Sequence, residues 1–293
     1  MSSLRRTGRA LGRRAIHAQG FGLIELMIAM VLGLLVMGAA FAVFQSNQRS
    51  FQANEGLNRI QESARVAYEL ISRDLRAAGG TACSNLARPN DEHTLNADET
   101  LLLTAPVGDN GAPAGTELVV ASGDDTAYRI TAATTSSITL DSAQIADATE
   151  AFKAGDKLIL CNANQLYVVT ATAVSPTSVS FTPATPVAMN LDPMAPPATV
   201  MLSRFRNVRW YRAGNGLYVS RNGAAGQQVA EGVTALGFTY RQNGSNTYTA
   251  TPANWPDVVA VRVNMTLTGT NQVDNKSVTR NVSNVISLRS RTP

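Results

Sequence analysis

Apolar positions along this chain follow three regimes. Residues 21–44 form an almost unbroken apolar run whose one carboxylate is Glu25. Uniform hydrophobicity over this length fits a helix with apolar surroundings on every side. At about 1.5 Å per residue the run spans roughly 36 Å as a helix, enough to cross a hydrocarbon core of about 30 Å. From residue 45 to 78 the apolar positions thin to one stripe. Ile60, Ala64, Ala67, Ile71, Leu75 and Ala78 recur at steps of three or four, and Glu62, Arg65, Glu69, Arg73 and Arg76 lie off it. That spacing is one face of a helix. No proline falls between 21 and 78, and Gly79-Gly80 supplies a stop. The pattern predicts one long helix: 21–44 as a transmembrane half, 45–80 as an amphipathic half packed on a soluble domain.

After Gly80 the runs become short and alternating, rich in Thr, Val, Ser, Gly and Asn. Strands are expected at 101–105, 117–121, 128–132, 137–140, 157–160 and 166–171, with turns at Asp109-Asn110-Gly111 and Gly123-Asp124-Asp125. Six prolines between 176 and 197 read as a loop or inter-sheet connection. A second set of strands is expected at 207–212, 217–221, 236–241, 258–268 and 277–288. Gly214-Asn215-Gly216 is a hairpin signal. It pairs Arg209-Trp210-Tyr211-Arg212 with Leu217-Tyr218-Val219, aromatics facing across the strands. The fold class is α+β, a long N-terminal helix on antiparallel sheet. Residues 81–293 form the β-rich globular part, either one domain or two lobes joined near 176–197.

Charge changes the picture at the N-terminus. Residues 1–20 carry Arg5, Arg6, Arg9, Arg13 and Arg14 and no Asp or Glu. A positive flank stays cytoplasmic, so the soluble domain is expected on the far side of the membrane, the periplasm. An ordinary secretory signal has a 7–15-residue apolar core followed by a small-residue cleavage site. Here the core is longer and the glycine comes before it. Without the leader, 20 Lys+Arg face 21 Asp+Glu, a net charge of −1 (25 − 5 = 20). The basic balance belongs to the leader and gives no support for nucleic-acid binding.

The stretch Gly20-Phe21-Gly22-Leu23-Ile24-Glu25 resembles the processing site of a type IV prepilin. The resemblance implies cleavage by a prepilin peptidase after Gly20, with Phe21 as the new, N-methylated terminus. It also implies that Glu25 pairs with the α-amino group of Phe21, on its own chain or a neighbour, and sets axial register in a filament. The plainer reading of Glu25 is a carboxylate snorkelling to the headgroups. The C-terminal third resembles minor pilins of the PilW type and is similar to the J-type pseudopilins of type II secretion. The residues that carry this are Val208-Arg209-Trp210-Tyr211, Gly216-Leu217-Tyr218, Glu231-Gly232-Val233, Leu236-Gly237-Phe238-Thr239-Tyr240, the run from Trp255 to Val263 and that from Val285 to Arg291. Asp74-Leu75-Arg76-Ala77-Ala78-Gly79-Gly80 followed by Cys83 fits the same type.

This resemblance implies a minor pilin that primes type IV pilus assembly and stays at the tip. Its implied partners are the prepilin peptidase, other minor pilins, the major pilin, the inner-membrane assembly platform and a tip adhesin. The alternatives are a J-type pseudopilin, or a membrane-anchored adhesin or DNA-capture module using residues 95–200.

Candidate chemistry is sparse. Once the leader is removed, His93 is the one histidine left, in the polar stretch Asn90-Asp91-Glu92-His93 that reads as an exposed loop. No catalytic group, metal site or cofactor is expected. Asp91-Glu92 and Asp124-Asp125 read as solvated turn carboxylates rather than calcium ligands, since no EF-hand spacing is present. For an exported chain, Cys83 and Cys161 default to a disulfide, with two unpaired buried thiols as the alternative. Closing that loop contributes roughly 4 kcal/mol on the chain-entropy model.

Overall fold

A computed structural model describes residues 22–84, 86–109, 111–185, 200–273 and 276–291. The chain divides into two units, one ending at Phe51 and one running from Gln52 to Pro293. Helix α1, Leu23–Ala77, starts in the first and ends in the second. Its first turn is set by Gly22, whose carbonyl accepts the N–H groups of Glu25 (3.0 Å) and Leu26 (3.1 Å). In the first unit every described residue of the helix is exposed.

In the second unit the helix shows the predicted stripe. Ile60, Ala64, Ala67, Ile71 and Leu75 are all buried, as is Ala78 just past its end. The helix stops where Gly79 takes φ +69°, a left-handed conformation suited to glycine. The Gly79 N–H donates to Ala121 O at 2.8 Å. Ser290 Oγ donates to Ala78 O at 2.7 Å and ties the C-terminal segment to the helix end.

Among the described residues twelve strands form two antiparallel sheets. The first holds β1 (Val107–Gly108), β2 (Glu117–Ala133), β3 (Ser137–Leu140), β4 (Lys157–Cys161), β5 (Leu166–Val174), β6 (Ser178–Thr182), β7 (Met201–Ala213), β8 (Gly216–Arg221) and β9 (Gln227–Glu231). The second holds β10 (Val233–Gln242), β11 (Val258–Val273) and β12 (Lys276–Ser287), paired in that order.

Two long strands organise the first sheet. β2 and β7 pair from Glu117↔Tyr211 to Arg129↔Met201. At one end, β7 pairs with β4 and β2 with β3, while β6 and β5 complete the circuit β2-β3-β6-β5-β4-β7. Those six strands close into a small barrel around Ile138, Leu158, Leu160, Tyr167, Val169 and Leu202. At the other end β7 pairs with β8, and the sheet is open. There Leu118, Val120, Trp210 and Leu217 join the helix stripe and the inner faces of β10, β11 and β12 in a second core. A closed circuit leaves no free edge, which is how small β structures avoid unwanted pairing.

The structure corrects several expected elements. Residues 101–105 are not a strand. A capping box between Asn96 and Glu99 starts a short helix, α2 (Ala97–Glu99), which continues as the π-helical turn Thr100–Thr104. A short run of leucines has no period that separates strand from helix. Gly123-Asp124-Asp125 is not a turn. β2 runs through it, and the β2–β7 register shifts between Gly123 and Ala127. Such a bulge adds residues to one strand without reversing it.

The proline-containing stretch is not all loop, since β6 lies within it; residues 186–199 lie outside the described residues. β9 was not expected. The hairpin is as expected: Gly214 has φ +55°, Ala213 pairs with Gly216, and Tyr211 stacks on Tyr218 with ring centroids 5.8 Å apart.

Candidate functional site: the anchor segment and the far end of its helix

Gly20 and Phe21, the expected cleavage and methylation positions, lie outside the described residues. Glu25 is described and sits in the first turn of α1, where the unpaired N–H groups of a helix favour a carboxylate. From Leu23 to Phe44, fifteen large apolar side chains stand exposed. Leaving that surface in water costs on the order of tens of kcal/mol, at about 2 kcal/mol per side chain. Lipid or the apolar helices of other chains must therefore cover it. Among the described residues this is the one helix long and apolar enough to cross a membrane.

The far end of the helix is held by polar contacts. Asp74 is buried, and its carboxylate accepts from Trp210 Nε1 at 3.0 Å and from Arg206 Nη2 at 3.3 Å. Burial pushes its pKa above the ordinary carboxylate value, against the pull of the Trp210 N–H and of Arg206. Arg206 also approaches Asp124 at 3.9 Å, and Arg73 pairs with Asp125 at 3.1 Å. The two carboxylates expected to be merely solvated thus face cations from α1 and β7. On the other face of β7 from Trp210, Arg209 grips Glu117 through two hydrogen bonds and lies over the Tyr211 ring at 4.6 Å. Tyr240 donates to Glu117 O at 3.3 Å, and burial raises its hydroxyl pKa.

Beyond the helix, Cys83 and Cys161 form a disulfide with Cα atoms 6.0 Å apart. It joins the segment after α1 to β4. The same segment is pinned again by Glu99, which is 1 % exposed. Its carboxylate accepts the N–H of Val168 (2.9 Å), the N–H of Asn96 (2.9 Å) and a hydrogen bond from His93 Nε2 (2.8 Å). Asn96 Nδ2 donates to Val168 O at 3.0 Å. The two side chains satisfy the outer edge of β5 as a neighbouring strand would. The flanks of His93, Asp91, Glu92 and Thr94, are exposed as expected, but its own side chain turns inward. Its side chain is 14 % exposed and meets Tyr167 edge-on at 5.3 Å. The signal for this was the Asn96-x-x-Glu99 spacing of a capping box. Among the described residues no group of three or more His, Cys, Asp or Glu could hold a metal ion.

Among the described residues the chain has one candidate membrane anchor, α1, and its fold is pilin-like α+β. Its residues 17–41 match the family model of the prokaryotic N-terminal methylation motif, the prepilin type. No curated protein matches the chain, and no solved structure does. The motif, with the long apolar helix and the antiparallel domain behind it, supports a type IV pilin-like protein or pseudopilin. It implies processing by a prepilin peptidase and partners in pilus or secretion assembly.

Proposed function

We propose that this chain is a minor pilin of the PilW type that primes assembly of a type IV pilus. The observation that carries the proposal is the N-terminal methylation motif at residues 17–41, which runs into an apolar helix left exposed among the described residues. In this reading a prepilin peptidase removes residues 1–20 after Gly20 and methylates Phe21. The helix holds the protein in the inner membrane with its domain in the periplasm. Packing between apolar helices then brings subunits together. Pairing of Glu25 with the Phe21 amine satisfies two charged groups that lipid solvates poorly, and fixes the axial step between neighbours. Other minor pilins, the major pilin, the assembly platform and a tip adhesin are the partners.

The test compares surface pilin with total cellular pilin in a strain lacking this chain. Loss of surface pilin with the cellular pool intact supports priming. Normal pili, with exoproteins held in the periplasm, point instead to a J-type pseudopilin. Glu25→Ala is expected to be processed yet poorly incorporated; incorporation at the native level would remove Glu25 from the register. The closed barrel between β2 and β7, with a core of its own, favours one further reading, a binding module carried on the anchor. A solid-phase binding assay with the barrel surface altered separates that reading from a scaffold.

A further inference from the structure

β12 is twelve residues long and forms one margin of the second sheet. One of its edges pairs with β11 from Ala260↔Ser287 to Val273↔Lys276. Along its other edge no backbone hydrogen bond is made among the described residues from Ser277 to Ser287. The opposite margin of that sheet is covered: Phe238 donates to Gly115 O at 2.8 Å, and Tyr240 bridges Thr249. The terminal strands of the first sheet, β1 and β9, have two and five residues. Among the described residues β12 is thus the long strand left with a row of unpaired N–H and C=O groups. It contains no proline, its one register shift lies at the Thr268/Gln272 end, and the charge guarding it is Arg280.

The two faces beside that edge differ in chemistry. On one, Val278 and Val282 are half-buried against the main core, with Arg280 between them exposed and in no ion pair among the described residues. On the other, Thr279, Asn281 and Ser283 bond to Thr268, Thr266 and Asn264 of β11, and Val285 is 45 % exposed. The sequence around this strand is mostly basic. Residues 258–293 hold Arg262, Lys276, Arg280, Arg289 and Arg291 against a single carboxylate, Asp274. β12 contains no Asp or Glu. Two copies pairing through β12 would set like charges side by side, which costs energy across a sheet.

We infer that the free edge of β12 is a docking strand for an extended, acid-bearing segment of a partner chain. The segment adds as a further strand. Its backbone satisfies the open row, a carboxylate meets Arg280, apolar residues two positions to either side continue the Val278–Val282 face, and hydroxyl residues face Thr279 and Ser283. The inference rests on the strand's own edge and holds equally for a pilus and for a secretion pseudopilus.

The experiment uses the full chain in detergent micelles and a fluorescein-labelled peptide, Thr-Val-Thr-Glu-Thr-Val-Thr. Anisotropy reads binding, and hydrogen exchange reads where it occurs. The peptide is expected to bind and to slow exchange across residues 277–287. Replacing its Glu by Lys weakens binding about fivefold, the scale of one exposed ion pair. In the Arg280→Glu chain the preference between the two peptides reverses. A peptide N-methylated at alternate backbone nitrogens keeps its charge but cannot complete the ladder, and it is expected not to bind the native chain. Equal binding of the N-methylated peptide, protection outside β12, or no binding of the parent peptide each overturns the inference. So does self-association through β12 that the peptide fails to displace, read by sedimentation.

Discussion

Residues 23–44 and 60–77 belong to the same helix and solve opposite problems. Leu34 is 70 % exposed and Leu75 fully buried. In the first stretch apolar residues occupy every face, so the surroundings that suit it are apolar all round. In the second they occupy one face, and small residues dominate it: Ala64, Ala67 and, just past its end, Ala78 let strands approach closely. Farther up, Gly269 of β11 comes so near that an added Cβ would lie 3.4 Å from Ile60 Cδ1. Hydrophobicity alone does not distinguish these halves; its angular distribution does. One half is built to meet partners or lipid, the other to meet its own chain.

The sharpest way to break that contrast is the same deletion on both sides. Leu75→Ala removes a fully buried side chain from the main core and is expected to destabilise the domain by about 3 kcal/mol. Leu34→Ala is expected to leave domain stability unchanged and to show itself only in membrane retention or assembly. Chemical unfolding of both variants in micelles, followed by the fluorescence of Trp210 and Trp255, makes the comparison. An equal loss in the two would mean that residues 23–44 have a packed partner within the chain.

The disulfide tests the contrast just past the helix, where the packed half hands over to the sheets. The double variant Cys83→Ser, Cys161→Ser is expected to lose about 2–4 kcal/mol. A stability equal to that of the native chain would mean that the Asn96–Glu99 contacts to β5 hold the segment without the crosslink.

The helix and the barrel were unequally legible in the sequence. Both halves of α1 could be read because a helix writes its environment locally, at steps of three and four. The β10–β12 sheet and the β7–β8 hairpin were legible for a related reason: alternation and a Gly-Asn-Gly turn lie within a few residues of each other. The barrel was not. Its closure depends on β2 pairing β7 some eighty residues away, and on Gly123-Asp124-Asp125 continuing a strand where its composition suggests a turn. The register shift falls where Asp124 and Asp125 meet Arg206 and Arg73, contacts that a local reading of the turn residues does not contain. The leucines at 101–103 failed for the converse reason, a local cap overriding a run without period. His93 was placed in an exposed loop because its flanks are polar, whereas its partner Glu99 is one of the most buried carboxylates in the chain.

The smallest expected effect is a pH dependence that sets the helix end against the barrel. Asp74, on the packed half of α1, has its pKa raised chiefly by burial. The folded state therefore holds its proton more tightly than the unfolded chain. The stability this contributes is fully present below the ordinary aspartate value of about 3.9 and is lost as pH rises through the higher folded value. Asp141, beside β3 in the barrel, behaves oppositely. The Ala143 N–H and the Arg129 guanidinium lower its pKa, so its contribution is present above the ordinary value and lost as pH falls through the lowered one. Asp74→Asn keeps an oxygen for the Trp210 N–H and removes the buried charge. Relative to the native chain, that variant is expected to gain stability from pH 4 to pH 7. Asp141→Asn is expected to lose relative stability as pH rises from the lowered folded value through the ordinary value of about 3.9, and so to flatten the acid limb of the native curve. Urea midpoints followed from the acid limb up to about pH 7 read both. If the two difference curves have the same sign of slope, the helix end is not a desolvated site, and Trp210 and Arg206 hold Asp74 as a fully compensated ion.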